Sequence, residues 1–190
     1  KLHHAENAQV MISLDVLNDA IEAKRKVRFI YNRCGTDFRL HPRREEPYVV
    51  NPYQLVAQNG WYYLIGNYDA YDNISHYRLD RITGIEMLSE ARKPKSAIRE
   101  LARGFSLPRH MAEHIYMFSG KSATVRLRTD TYMMDSLTDW FGRDFHIRHE
   151  GDGRMIVTLR CNEEAMKYWA LQFGIYVEII SPERLRTAVK

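Results

Sequence analysis

The chain has 190 residues, of which 45% are hydrophobic and 27% are charged, and its formal net charge is +4. This composition is typical of a globular protein and excludes a disordered chain, and so small a positive excess does not by itself indicate nucleic-acid binding. No stretch approaches the roughly 18 apolar residues of a membrane span. Cys34 and Cys161 lie far apart in the sequence, so we expect a reduced, cytoplasmic protein without a membrane partner.

The first part of the chain predicts one helix followed by short strands. Residues 1–13 show no clear periodic spacing of apolar residues and are interpreted as a linker or as the truncated edge of the domain that follows. Ser13 is a candidate N-cap for a helix over about 14–25, in which apolar residues recur at helical spacing. The cations of residues 24–26 suit the C-terminal end of that helix.

Short strands are then predicted at tight spacing. They cover residues 27–31, 38–42, 61–68, 74–82 and 84–88, with two more in the segment 48–57 on either side of Pro52. Asn59-Gly60 predicts a two-residue hairpin turn, because both residues accept positive φ. One helix followed by so many short strands predicts a small, strongly bent sheet or barrel.

The second part of the chain has a different order of elements. Residues 91–121 are interpreted as a charged, proline-containing connector with helical turns. The pattern then predicts strands over 123–128, 145–149, 154–161 and 176–180, helices over about 131–141 and 163–173, and a terminal helix after Pro182. Asp130 and Asn162 are the candidate N-caps of the two inner helices, and Gly174 is the candidate C-cap of the second. This βαββαβ order is ferredoxin-like, so we predict an α+β chain with a ferredoxin-like domain over 122–190.

Four sequence motifs carry a resemblance to a known family. They are Phe29-Ile30-Tyr31, Asn51-Pro52-Tyr53-Gln54-Leu55, Tyr62-Tyr63-Leu64 and Tyr77-Arg78-Leu79-Asp80-Arg81-Ile82. Together they resemble the WYL domain, a small Sm-like or SH3-like β-barrel of bacterial regulators, which with its leading helix is predicted over 14–90. The name-giving tripeptide falls on Tyr62-Tyr63-Leu64, so Trp61 lies one place earlier and receives no role from the family's name. Residues 122–190 resemble the C-terminal extension domain that often follows a WYL domain, through Trp169, Phe173-Gly174 and Ser181-Pro182-Glu183.

The resemblance implies a part of a transcriptional regulator. Such proteins usually begin with a DNA-binding winged helix-turn-helix, and the segment before Ser13 is too short to hold one. The resemblance therefore implies a stand-alone sensor or a sensor cut from a longer regulator, and the first residue, Lys1, favours the cut. Promoter DNA is expected to bind only through an N-terminal domain that is missing from this sequence. A homodimer is expected, because regulators of this kind commonly act as dimers.

A ligand site is predicted around Arg78 and Arg81. Both lie on or at the end of one predicted strand, near the aromatic residues of the preceding strand. Guanidinium groups bind phosphate and aromatic rings stack bases, and the resemblance assigns the matching arginines to a positively charged pocket proposed to take nucleotides or single-stranded nucleic acid. The alternative is that Asp80 pairs with either arginine and only holds the strand in place. Side chains alternate between the two faces of a strand, so Arg78 should point away from the core that its neighbours Tyr77 and Leu79 face, which favours a binding role. For Arg81 both roles remain open.

Five further residues are candidates for the same site. They are Arg44, His41, Tyr63, Asn67 and Tyr53. The arginine and the histidine are predicted at the rim of the pocket, or else in a solvated loop whose charge the following glutamates compensate. The two tyrosines are interpreted as core aromatics rather than stacking platforms. The asparagine either offers its amide to a ligand or forms a turn.

No catalytic constellation is found, and we expect neither an enzyme nor a metal or other cofactor. His110 and His114 have the spacing of two metal ligands on one helix face. However, Met111 stands where a zinc protease needs a glutamate, and no third ligand lies nearby in the sequence. Cys34 has no neighbouring base that would activate its thiol.

Arginines alternate along the predicted strands of the second part. They are Arg126, Arg128, Arg148, Arg154 and Arg160. This pattern fits a basic sheet face that contacts nucleic acid, but any half-exposed sheet shows it, and dimer contact is the competing use. Two hypotheses follow for the chain: a sensor that binds a nucleotide or single-stranded nucleic acid, and a protein-interaction or dimerisation module without a small ligand.

Overall fold

The computed structural model describes the chain from His4 to Lys190, with side chains from Ala8 onward. It forms two compact units, the first ending at Phe105 and the second covering Ser106–Lys190. Each unit combines helices with one antiparallel sheet, so the chain is α+β, as predicted. None of the described helices has the length and apolar character needed to cross a membrane.

The first helix, α1, runs from His4 to Glu22, so the predicted start near residue 14 is wrong. Ser13 lies inside the helix, fully buried, and is not an N-cap. The residues before it lack an apolar period, but alanine, glutamate and glutamine favour a helix without one. The helix ends before the predicted residue because Lys24 adopts a left-handed φ of 55°. The part of the predicted linker before His4 lies outside the described residues.

Six antiparallel strands form the sheet of the first unit. They are β1 (Arg25–Cys34), β2 (Leu40–Pro42), β3 (Tyr48–Gln58), β4 (Trp61–Tyr68), β5 (Ser75–Arg78) and β6 (Ile82–Ala91). Their order is β2-β1-β3-β4-β5, and β6 also pairs with β1. Because β1 pairs with three strands along its length, the sheet curls into a half-barrel. The helix α1 contributes Leu17 and Ala20 to its core.

The segment predicted as two strands around Pro52 is one continuous strand, β3. Its register with β4 shifts between Pro52 and Gln54, directly after the proline, which lacks the N–H that a regular ladder requires. The predicted irregularity is therefore a bulge within a strand and not a break. At the end of β3, Asn59 and Gly60 have φ values of 50° and 79°, which confirms the predicted hairpin turn.

The single strand predicted over residues 74–82 is broken in the structure. The strand β5 ends at Arg78, a 3-10 turn covers Leu79–Arg81, and β6 begins at Ile82. Leu79 is fully buried, and the turn carries the chain from its pairing with β4 to its pairing with β1. The two arginines of the predicted site therefore lie at a strand end and in a turn.

Gly66 lies in β4 at a point where a side chain would meet β3. A Cβ atom on it would lie 2.7 Å from Val50 Cγ1 and 3.2 Å from Asn51 O. We expect Gly66→Ala to lower the free energy of unfolding by about 1–3 kcal/mol, as overpacking does, in urea denaturation. The added methyl group should cost less in a Val50→Ala background, and an equal cost in both backgrounds would contradict a clash with Val50.

The second unit follows the predicted order of elements. It contains α2 (Leu107–Glu113), β7 (Ser122–Asp130), α3 (Met134–Phe141), β8 (His146–Gly151), β9 (Arg154–Asn162), α4 (Glu163–Phe173), β10 (Val177–Ser181) and α5 (Glu183–Ala188). The four strands form one antiparallel sheet in the order β10-β7-β9-β8. Leu137 from α3 and Trp169 from α4 are fully buried in its core.

The two predicted N-caps of this unit differ in outcome. Asn162 Oδ1 accepts a hydrogen bond from Ala165 N at 3.0 Å, which confirms the cap of α4. Asp130 occupies the N-cap position directly before the helical segment 131–141, as predicted, but its side chain makes no capping hydrogen bond, and the segment begins with a 3-10 turn before α3. Asp130 is also the last residue of β7, paired with Arg154 of β9. Gly174 follows α4 with a φ of 39°, as expected of a C-cap glycine.

Candidate anion-binding site

The side chain of Arg78 is held on one edge and on one face. Its Nε and Nη2 donate to Asp80 Oδ1 and Oδ2 at 3.0 and 2.7 Å. Its guanidinium lies over the ring of Trp61, 3.8 Å from the ring centroid. Burial lowers the pKa of the Arg78 guanidinium, but hydrogen bonding and the charge of Asp80 raise it more, so the net pKa is above its ordinary value. Arg78 is therefore a fixed, oriented cation.

The strand register explains why Arg78 meets Trp61. Arg78 pairs with Tyr63 across the ladder of β4 and β5. Trp61 and Tyr63 are two residues apart on β4, so their side chains lie on the same face. Trp61 is thus the diagonal neighbour of Arg78, within reach of a long side chain. Trp61 is 45% exposed, and the sequence prediction assigned it no role.

Arg81 reaches the same region from the 3-10 turn. Asn32 Nδ2 donates to Arg81 O at 3.0 Å and to Thr83 Oγ1 at 2.9 Å, which ties the turn to β1. Burial raises the pKa of Tyr63, while the charges of Arg78 and Arg81 act to lower it. Both cations therefore act on the Tyr63 hydroxyl. Of the two alternatives for Asp80, the structure shows the pair with Arg78, and the Arg81 side chain has no ion pair within the described chain.

Arg43 adds a third cation, next to Tyr31. Its guanidinium lies 5.1 Å from the centroid of the Tyr31 ring, and its backbone N donates to Tyr31 O at 3.0 Å. Tyr31 Oη in turn accepts a hydrogen bond from Arg78 N at 3.1 Å. We call this group of side chains the Arg78 site. It consists of Arg43, Arg78, Arg81, Asp80, Tyr31, Trp61 and Tyr63.

Arg44, predicted at the rim, is used to hold its own loop. Its guanidinium lies 3.7 Å from the centroid of the Tyr48 ring and 4.6 Å from that of Tyr68. Its nitrogens donate to Tyr68 Oη at 2.8 Å, to Glu46 O at 3.0 Å and to Pro47 O at 2.9 Å. The contact with Glu46 is through its backbone oxygen. The arginine that lies beside the Tyr31 ring is its neighbour Arg43.

His41, Tyr53 and Asn67 have their contacts in other parts of the first unit. His41 Nε2 lies 2.9 Å from Asp37 Oδ1 in the hairpin of β1 and β2. Tyr53 is buried, which raises its pKa to about 12, and its Oη donates to Lys93 O at 2.9 Å. Asn67 is fully buried, and its Nδ2 donates to backbone oxygens of the turn after β4. Of the residues predicted for the site, the structure thus groups Arg78, Arg81 and Tyr63.

A buried polar network lies around Asn51, in the motif that carries Tyr53. Asn51 Nδ2 donates to Asn67 Oδ1 at 3.0 Å and to Asp69 Oδ1 at 2.9 Å. Asn51 Oδ1 accepts from Lys93 N at 2.8 Å, and Lys26 Nζ donates to Asp69 Oδ2 at 3.1 Å. These bonds join β1, β3, the turn after β4 and the segment after β6. The network therefore has a structural role.

Three of the five arginines predicted along the sheet of the second unit have carboxylate partners. Arg128 pairs with Glu150 at 2.7 Å and with Glu178 at 2.6 Å. Arg148 also pairs with Glu150, at 3.2 Å, and Arg160 lies 3.3 Å from a carboxylate oxygen of α2.

The other two arginines, Arg126 and Arg154, have no ion pair among the described side chains. This face of the sheet therefore keeps part of its positive charge.

The paired histidines of α2 form no larger metal-ligating cluster. The ring centroids of His110 and His114 lie 4.4 Å apart, and His114 Nδ1 lies 2.8 Å from Phe118 O. Burial and, to a smaller extent, the neighbouring His114 lower the pKa of His110 to about 3. Among the side chains from Ala8 onward, no group of three or more metal-ligating residues is found.

Two solved structures are similar to this chain. Proteasome accessory factor B/C (PafBC) of Arthrobacter aurescens is 21% identical, over 93% of this chain and 25% of that one, with a TM-score of 0.39. A CRISPR Cas-related protein is 16% identical, over 96% of this chain and 49% of that one, with a TM-score of 0.57. The chain thus spans a quarter of the first and about half of the second. At such identities the likeness concerns the fold alone.

Family models match both units of the chain. The WYL domain model matches residues 13–87, and the WCX domain model matches residues 121–190. No match was found among curated proteins. The first match contains the whole Arg78 site, from Tyr31 to Arg81. The chain therefore belongs to the WYL-domain family, with a WYL domain followed by a WCX domain.

Proposed function

We propose that this chain is the ligand-sensing part of a bacterial WYL-type transcriptional regulator, and that the Arg78 site binds a nucleotide or single-stranded nucleic acid. The observation that carries the proposal is the guanidinium of Arg78 stacked 3.8 Å from the centroid of the exposed Trp61 ring. An oriented guanidinium donates to phosphate, and an exposed aromatic ring stacks a base. The regulatory role is supported by the family.

The charge balance of the site favours an anion. Arg43, Arg78 and Arg81 are offset within the site by the carboxylate of Asp80 alone. Asp80 accepts from Nε and from one N–H of Nη2 of Arg78, which leaves Nη1 and the second N–H of Nη2 to donate to a phosphate oxygen. An anion that approaches this edge also meets the field of the other two guanidinium groups.

The wider proposal follows from the family. The first unit would be an Sm-like or SH3-like barrel, and the second a ferredoxin-like domain, for which the strand order β10-β7-β9-β8 is support. Promoter DNA would bind to the regulator through a DNA-binding helix-turn-helix domain. The protein would act in the cytoplasm as a homodimer, without catalysis and without a cofactor.

A protein-interaction or dimerisation module is the second candidate. It is favoured by apolar side chains exposed on and just after α4. Tyr168 is 52% exposed, Leu171 is 53% exposed and Ile175 is 92% exposed. The ion-paired arginines of the sheet, Arg128, Arg148 and Arg160, also suit an interface. This candidate function predicts a stable dimer in light scattering and no salt-sensitive binding of nucleic acid.

Arginine variants test the proposed site. We expect Arg78→Ala and Arg81→Ala each to weaken binding roughly 10- to 100-fold, the equivalent of one or two charge-assisted hydrogen bonds. The measurement is fluorescence anisotropy with labelled oligonucleotides and a panel of nucleotides. Arg99→Ala is the matched control, because Arg99 also pairs with an aspartate, Asp72, but on the exposed surface. Unchanged affinity in both site variants, with folding verified by circular dichroism, would remove the site assignment.

Salt dependence separates the two candidate functions. Each phosphate contact to a single strand adds about −0.7 to the slope of log affinity against log salt. Three site cations therefore give an expected slope of about −2, and the Arg78→Ala, Arg81→Ala double variant about −0.7. A flat slope in the unmodified protein, together with a stable dimer, would favour the interaction module.

A further inference from the structure

Trp61 is a large aromatic residue that the fold leaves in contact with solvent. It is 45% exposed, whereas Trp169, in the core of the second unit, is fully buried. Arg78 covers one face of its ring, and no second aromatic ring packs on it among the described residues. The exposed area therefore lies on the rest of the indole, directly beside the cation of the site.

We infer that Trp61 is the base-stacking platform of the Arg78 site, and that it makes the site prefer phosphates that carry a nucleobase. This inference rests on the proposed function. A phosphate held by Nη1 of Arg78 lies close to the indole that the same guanidinium covers. The sugar of that nucleotide or of its neighbour can then bring a base onto the open part of the ring.

The same geometry limits what the site can read. Every base has a π-face, so stacking on an indole tolerates all four bases. Two of the five N–H groups of Arg78 are already bonded to Asp80, and a bound phosphate would use the remaining ones on Nη1 and Nη2. The site therefore distinguishes a strand with bases from one without them, and it does not distinguish one base from another.

Trp61 has a competing role as a residue that only positions Arg78. The guanidinium over its ring gains a cation–π interaction, and loss of the ring would then disturb Arg78 itself. Such a loss would weaken all phosphate ligands by the same factor. A base-stacking role predicts a loss confined to ligands that carry a base.

Two probes of equal phosphate number separate these roles. The first is a labelled thymidine oligonucleotide and the second is an abasic oligonucleotide of the same length, both measured by fluorescence anisotropy. We expect Trp61→Ala to weaken the thymidine strand about tenfold, as the loss of one stacked base does, and to leave the abasic strand within about twofold. Trp61→Phe keeps an aromatic face and should retain most of the affinity.

Tyr62→Ala is the matched control for the loss of an exposed aromatic side chain. Tyr62 is 51% exposed and lies on the opposite face of β4 from Trp61 and Tyr63. We expect both probes to bind this variant as they bind the unmodified protein. Because Trp61 is largely exposed, its replacement should leave the fold intact, as circular dichroism would show.

Three results would overturn the inference. Equal weakening of both probes by Trp61→Ala would assign Trp61 to the positioning of Arg78 and leave the phosphate site standing. Unchanged binding of the thymidine strand would exclude Trp61 from the interface. Absence of binding of either probe to the unmodified protein would overturn the proposed function itself.

Discussion

Replacing Phe29 with alanine is expected to lower the free energy of unfolding of the first unit by about 3–5 kcal/mol. Phe29 is fully buried. Its ring stacks on Tyr48 with centroids 6.1 Å apart, and it makes edge contacts with Tyr31 at 6.3 Å and with Tyr77 at 5.3 Å. The change therefore leaves a cavity under several rings at once.

The aromatic cluster around Phe29 also supports the Arg78 site. The Arg43 guanidinium lies over the Tyr31 ring, and Tyr31 Oη accepts the hydrogen bond from Arg78 N. The Arg44 guanidinium lies over the Tyr48 ring. A cavity at Phe29 is therefore expected to loosen the positions of these cations as well as the core.

The decrease in the free energy of unfolding caused by Phe29→Ala is measured by urea unfolding. Hydrogen exchange with mass spectrometry assigns this decrease to the first unit. Phe38→Ala is the matched control, because it removes the same side chain from a position that is 92% exposed. That variant should stay within about 0.5 kcal/mol of the unmodified protein. A cost below about 1 kcal/mol for Phe29→Ala would contradict the packing described here.

Asn51→Ala is expected to lower the free energy of unfolding by about 2–4 kcal/mol. Asn51 is fully buried and bonds to Asn67, Asp69 and the backbone N of Lys93. Alanine removes the partner of the fully buried Asn67 Oδ1 and of Lys93 N, and each buried group left without a partner costs about 1–3 kcal/mol. Asp69 is partly exposed and keeps its ion pair with Lys26, so it adds less to the loss.

The matched control for Asn51 is Asn18→Ala. Asn18 lies on the exposed side of α1, where alanine has the higher helix propensity, so this variant should be neutral or slightly stabilising. Both variants are compared by urea unfolding under identical conditions. If Asn51→Ala unfolds at the same urea concentration as the control, the network around Asn51 contributes no net stability.

Features of the fold that depend on neighbouring residues could be predicted from the sequence. Asn59-Gly60 determines a hairpin turn because both residues accept positive φ. Asn162 caps α4 through a hydrogen bond to a residue three places later. The turn over Leu79–Arg81 was not predicted, because Leu79 fits the alternation of a strand. The turn follows from the change of pairing partner from β4 to β1, which depends on distant strands and leaves no local pattern.

The candidate site was partly accessible to sequence reasoning. The position of Arg78 follows from alternation along one strand, and the resemblance pointed to both Arg78 and Arg81. The partners of Arg78 depend on the register between β4 and β5, which no single strand reveals. Trp61 was assigned no role because it lies one place before the name-giving tripeptide, and its contact with Arg78 follows only from that register. The sequence also could not show which of two adjacent arginines, Arg43 or Arg44, lies beside Tyr31.

The turn over Leu79–Arg81 places the two arginines on opposite sides of an open seam. Arg78 belongs to β5, which pairs with β4, whereas the backbone of Arg81 is tied through Asn32 to β1, with which β6 pairs. No ladder joins β5 to β6 in the described sheet. An anion held by both guanidinium groups would therefore join two edges that the backbone leaves unbonded. Ligand binding would then stabilise the half-barrel with these two edges held together, in addition to forming a contact on its surface.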